Sequence, residues 1–170
     1  MKFIIDGMLG KVTRWLRILG YDVEYSNNLD DAKLIEIAKK EKRILLTRDL
    51  ELYQQATAKG IDALYLEETF GSEKLARLAQ RFKIRLEIDM EKSRCPKCNT
   101  PVKPVPKTNV AEKVEKSTYN YYDEFWECPE CKQIYWQGAH WKRIRETLAN
   151  AKKELEKIQN KKREDNREVL

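Results

Sequence analysis

Residues 2–6 read Lys2-Phe3-Ile4-Ile5-Asp6, and residues 43–49 read Arg43-Ile44-Leu45-Leu46-Thr47-Arg48-Asp49. Each is a short apolar run closed by an aspartate. Such a run, with no alternating polar side chains, is the pattern of a strand buried on both faces, and those strands belong to parallel sheets. Open α/β sheets build their ligand edge at the carboxyl ends of the strands, so Asp6 and Asp49 are expected to share that edge.

Working outward, strand and helix patterns alternate. Met8, Leu9, Val12, Trp15, Leu16 and Leu19 recur at helical spacing, and Gly20 stops that helix as a C-cap. Residues 21–25 form a short strand, residues 27–29 turn, and Asp30 or Asp31 caps a helix carrying Leu34, Ile35, Ile37 and Ala38. A helix over about residues 50–59 ends at Gly60, and residues 63–66 make another strand. Ser72 caps a helix with Leu75, Leu78, Ala79 and Phe82 on one face, and residues 84–88 complete the sheet. This order predicts an α/β domain over residues 1–92, a mostly parallel sheet with helices on both faces.

Composition changes after Ile88. Residues 93–141 contain all four cysteines and are rich in proline and aromatic side chains, without a sustained helical period. Cys95-Pro96-Lys97-Cys98 and Cys128-Pro129-Glu130-Cys131 are paired Cys-x-x-Cys knuckles, which together supply the four thiolates of a tetrahedral Zn²⁺ site. A closed four-cysteine site supports folding, so residues 93–141 read as a small zinc ribbon and chemistry is expected elsewhere. The aromatics of residues 119–126 and 134–141 either pack around the metal or stack on unpaired bases. His140, the single histidine, is a candidate phosphate contact or acid-base group, or hydrogen-bonds within the module.

From Trp141 onward the apolar positions Trp141, Ile144, Leu148, Ala151, Leu155 and Ile158 follow three-four spacing. Residues 142–170 are therefore expected to be a basic helix that frays, from Asn160, into a disordered tail. The net charge of +6 is concentrated there: 10 basic against 6 acidic side chains, compared with 17 against 16 in residues 1–92 and 7 against 6 in residues 93–141. A basic segment beside an acidic cluster suits a polyanion such as nucleic acid. No apolar stretch reaches the roughly 18 residues of a membrane helix, and the first residues lack a signal-peptide core, so the expectation is a cytoplasmic protein with no membrane partner. Neither a Walker loop nor a Rossmann fingerprint is present.

Asp31 opens the helix between the two strands that end at Asp6 and Asp49. Three carboxylates at one sheet edge repel one another unless a hard cation with oxygen preference, Mg²⁺ or Mn²⁺, lies between them. That residue set points to metal-dependent phosphodiester chemistry.

Taken together, Ile5-Asp6-Gly7-Met8-Leu9-Gly10, Arg14-Trp15-Leu16-Arg17, Leu19-Gly20-Tyr21-Asp22, Leu45-Leu46-Thr47-Arg48-Asp49, Cys95-Pro96-Lys97-Cys98-Asn99 and residues 128–141 resemble the Mut-seven C-terminal ribonuclease family over about residues 1–148. The resemblance implies a PIN-like nuclease domain fused to a zinc ribbon, and a divalent-metal ribonuclease, with endonuclease action favoured. Matched by motif, the acidic site falls on Asp6, Asp31 and Asp49. Asp30 and Glu51 are possible accessory carboxylates, and Asp62, Glu67 and Glu68 are further candidates for a fourth acid. Arg14, Arg17 and Arg48 are expected either to clamp phosphate or to pair with carboxylates. Two other readings stay open. One is a non-catalytic RNA-binding or ribosome-associated RNA-processing factor. In the other, the helical stripe joins two copies as a homodimer.

Overall fold

Strands β1 (Lys2–Ile5), β2 (Asp22–Tyr25), β3 (Ile44–Thr47) and β4 (Ala63–Tyr65) pair in parallel in the order β2-β1-β3-β4 in the computed structural model, which describes residues 1–168. Helices α1 (Gly10–Ile18), α2 (Asp31–Glu41) and α3 (Leu50–Ala58) connect them, α1 being led in by a 3-10 turn at Gly7–Leu9. From β1 the chain moves to one side for β2, then crosses back for β3 and β4. Right-handed crossovers therefore put α1 on one face of the sheet and α2 and α3 on the other. The reversal lies between β1 and β3, and the crevice of a doubly wound sheet opens at the carboxyl ends of that pair. Asp6 and residues 48–49 follow those two strands.

Alternation along the strands fills both faces. Ile4, Leu45 and Ala63 pack with Leu34, Ile35, Ala38, Leu52 and Ala56 of α2 and α3. Phe3, Ile5 and Leu46 point the opposite way and are also completely buried. Each such aliphatic side chain contributes roughly 1.5–3 kcal/mol of transfer free energy. Gly20, just after α1, has φ +94, and a Cβ there would lie 2.9 Å from the carbonyl oxygen of Lys92, so two requirements exclude a side chain.

The cysteine-bearing segment forms an antiparallel sheet, β5 (Lys103–Val105), β6 (Phe125–Glu127) and β7 (Ile134–Tyr135), in that order, with α5 (Lys116–Tyr121) inserted between β5 and β6. Val110, Phe125 and Ile134 form its core with Tyr119, Tyr122 and Trp136 around them, so these rings serve packing; Tyr121 stays exposed.

Contacts divide the chain into two compact units, residues 1–66 with 88–138 and residues 67–87 with 139–170. The ribbon thus groups with the parallel sheet. In the second unit α4 (Gly71–Phe82) packs along α6 (His140–Glu168), and Leu148 and Ala151 of the apolar stripe are buried. No helix among the described residues is long and apolar enough to cross a membrane.

Three local expectations are corrected. Residues 84–88 form no strand: Ile84 and Leu86 are buried while Arg85 and Glu87 are exposed, so their alternation reflects an extended segment buried on one side without ladder partners. Ser72 is not the cap of α4; the Glu73 carboxylate accepts from the amide of Phe70 at 3.3 Å, one residue before the helix. The segment from Asn160, expected to be disordered, continues α6 to Glu168, because Lys, Glu and Arg are strong helix formers and no Gly or Pro interrupts them. Residues 169–170 of that expected tail lie outside the described residues.

Candidate functional site

Asp6 leaves β1 at the sheet's carboxyl edge and is only 6% exposed. Its Oδ1 accepts from the amide of Met8 at 2.8 Å; its Oδ2 accepts from the Thr47 hydroxyl and from the amide of Arg48 at 3.2 Å. Thr47, fully buried, in turn accepts from the amide of Asp49 at 2.8 Å. One hydroxyl therefore ties the ends of β1 and β3 together, and a buried carboxylate is held in a single orientation by charge-assisted bonds. Asp49 caps α3, with Oδ1 accepting from the amides of Glu51 and Leu52 at 2.8 and 3.1 Å, both on the same oxygen.

Of the two aspartates that open α2, Asp30 is the cap, accepting from the amide of Lys33 at 2.8 Å, and Asp31 is the first helical residue. The Asp31 carboxyl lies above its ordinary value, first through partial burial and then through the charges of Asp49, Glu51, Asp6 and Asp30. Those carboxylates thus act on one another electrostatically, and positive charge placed among them would relieve the repulsion. Among the described residues, however, the group of ligating side chains close enough to hold one ion is the four cysteines.

The cysteine cluster is built by two matching turns. The amide of Asn99 donates to the Cys95 carbonyl and the amide of Cys95 to the Thr100 carbonyl; Lys132, Cys128 and Gln133 repeat the pattern. The residue after each second cysteine, Asn99 or Lys132, takes a left-handed conformation with φ 70 or 60. All four sulfurs lie within 4.8 Å of one another, with Cys95–Cys131 at 3.5 Å and Cys98–Cys128 at 3.3 Å. A tetrahedron with Zn–S of about 2.3 Å has edges near 3.8 Å, so the four cysteines fit a zinc ion. Burial pushes the Cys128 thiol up to about 12, a cost that a cation would offset.

Arg17, expected to clamp phosphate or pair with an acid, is turned to backbone carbonyls. Its guanidinium is 7% exposed and donates to the Val23 carbonyl through Nε and Nη2, at 3.2 and 2.8 Å, and to the Pro96 and Lys97 carbonyls through Nη1, at 3.0 and 3.1 Å. Asn99 completes the join: its Oδ1 accepts from the Val23 amide at 3.0 Å and its Nδ2 donates to Asp22 at 2.9 Å. Val23 lies on β2, the edge strand, so both of its outward backbone groups are satisfied by the knuckle and by α1.

Arg14 and Arg48 are exposed, Arg48 directly beside Asp49, and Glu51 is exposed in the first turn of α3. His140 is exposed at the start of α6, in the second unit. Thr47 and Asn99 are the two residues that sequence reasoning passed over. The signal for Thr47 was a lone polar side chain in an apolar strand, and for Asn99 a residue tolerant of left-handed backbone just after a knuckle.

Searches of curated proteins and of solved structures found no match. Residues 1–148 match the family model described as the Mut7-C RNAse domain, a name that suggests ribonuclease activity, with RNA as the substrate. That match spans the parallel sheet, the cysteine ribbon and the start of α6, and on it the chain belongs to the Mut7-C RNAse domain family.

Proposed function

We propose that this protein is a metal-dependent, PIN-type ribonuclease, acting as an endonuclease, with its site at the carboxyl edge of β1 and β3. The observation that carries this reading is the buried Asp6 carboxylate, tied by Thr47 to the backbone that presents Asp49. Asp6, Asp31 and Asp49 would hold Mg²⁺ or Mn²⁺, with Asp30 and Glu51 as accessory carboxylates. The bound ion would lower the pKa of a water and neutralise charge developing on the scissile phosphate. Thr47 and the amides of Met8 and Arg48 keep Asp6 from rotating, so its position is set before substrate arrives. Arg48 and Arg14, both exposed, would donate bidentate hydrogen bonds to phosphate oxygens. The four cysteines would hold structural zinc, and the basic α6 and His140 would add contacts to the RNA backbone.

Cleavage of labelled RNA by the zinc-loaded chain, with and without added Mn²⁺ or Mg²⁺, tests this. Asp49→Asn is the cleaner variant, because asparagine keeps the cap of α3 while removing the charge. Cleavage that requires the added ion and is lost in Asp49→Asn and Asp6→Asn is the expected result. Binding without cleavage by the native chain would refute it and favour a non-catalytic RNA-binding factor. That second reading draws on the cysteines being, among the described residues, the compact metal-ligating group.

A further inference from the structure

A groove of about 560 Å³ opens between α1, the end of β2 and the first zinc knuckle. Its lining includes Thr13, Arg14, Tyr25, Lys97, Gln133 and Tyr135, and no carboxylate. The charged side chains that border it, Arg14, Arg17 and Lys97, are all cationic. Arg17 also borders it but is spent on carbonyls, which leaves Arg14 and Lys97 as the available charges. Lys97 Nζ donates to the neutral Gln133 Oε1 at 2.6 Å, which orients the ammonium without cancelling it. Thr13 is 2% exposed and its hydroxyl has no hydrogen-bond partner, an unmet bond in the groove wall.

The groove adjoins the acidic edge. Tyr25 Oη donates to the carbonyl of Gly7 at 3.1 Å, in the turn that begins at Asp6. Gly10 leaves room for that ring, since a Cβ there would lie 2.8 Å from Tyr25 Oη.

We propose that this groove holds an unpaired nucleotide of the RNA strand next to the scissile bond, with its phosphate on Arg14 and Lys97 and its base against Tyr25. The proposal rests on the ribonuclease reading for the identity of the strand. An unpaired nucleotide presents a phosphate and an open base face together, whereas duplex bases are stacked and out of reach of such a groove. The volume falls in the roughly 300–1,000 Å³ range of sites that hold a molecule of nucleotide size. The zinc knuckle thereby contributes a wall of the substrate path as well as stability, because Pro96, Lys97 and Gln133 border the groove.

The test measures binding of a fluorescent decauridylate, with no Mg²⁺ or Mn²⁺ added so that it stays intact, to the zinc-loaded full chain across a salt series. Arg14→Gln/Lys97→Gln is compared with a charge-matched control, Lys39→Gln/Lys40→Gln, in the exposed last turn of α2 at the amino edge of the sheet. Loss of the one phosphate held by these two cations makes the salt slope shallower by about 0.7, which at about 0.1 M salt is roughly 5-fold in affinity. That change in the groove variant, with the control near native, is the expected result. A groove variant with native slope and affinity, or a control that loses as much, would overturn the proposal. Failure of the ribonuclease reading shows separately, as a native chain that binds this oligonucleotide but leaves RNA intact with Mn²⁺.

Discussion

Replacing Arg17 by alanine removes the donor that joins α1, the edge strand and the first zinc knuckle. Three carbonyls lose it: Val23, which receives two bonds in buried surroundings, and Pro96 and Lys97, which are part-buried. An unsatisfied buried acceptor costs about 1–3 kcal/mol, and the two part-buried carbonyls, which water reaches, lose about 0.5 kcal/mol each, so the loss sums to about 2–4 kcal/mol. That is a large share of the roughly 5–15 kcal/mol that holds a domain together. Arg17→Lys keeps the charge but not the planar fork, and is expected to lose about half as much. The knuckle should also release zinc more readily, by about 10–100-fold, since the carbonyls of Pro96 and Lys97 are part of the turn that presents Cys95 and Cys98. Urea unfolding followed by circular dichroism, with zinc affinity measured by chelator competition, reads both effects. Arg14→Ala, one turn earlier and exposed, serves as the control and should stay within about 0.5 kcal/mol. Native stability and native zinc affinity in Arg17→Ala would refute the clamp.

Cys128→Ala should abolish stoichiometric zinc binding and lower the thermal midpoint, read by metal content and calorimetry, because three thiolates leave the tetrahedral site open. Thr13→Val should stabilise the chain by about 1 kcal/mol in urea, since it removes a buried hydroxyl that has no partner. Burial raises the Asp22 carboxyl, but bonds from Arg43 and Asn99 outweigh it and hold the group below its ordinary value. Its contribution is therefore present above the unfolded value of about 3.9 and is lost as pH falls through the folded one, so acid unfolding below about pH 4 should be less steep in Asp22→Asn.

The parallel sheet was legible because its signal is local. Runs such as Phe3-Ile4-Ile5 and Ile44-Leu45-Leu46 state burial on both faces, and aspartates at their ends state which edge is polar. The knuckles were equally legible, since two cysteines three residues apart carry their ligand geometry within one turn. Period misled at residues 84–88, although it found the helices α4 and α6. Ile84 and Leu86 alternate like a strand because one side of an extended segment is buried, and alternation reports burial but not a ladder. Residues 160–168 looked like a solvated tail by charge, yet they continue a helix by propensity.

By itself the sequence determined the α/β class, the cysteine set and the strand-end aspartates, because each depends on neighbours within a few residues. Only the tertiary structure decided what Arg17, Thr47 and Asn99 do. Arg17 and Lys97 are separated by 80 positions and Asp6 and Thr47 by 41, and whether a side chain meets a phosphate or a carbonyl depends on which distant backbone folding brings to it.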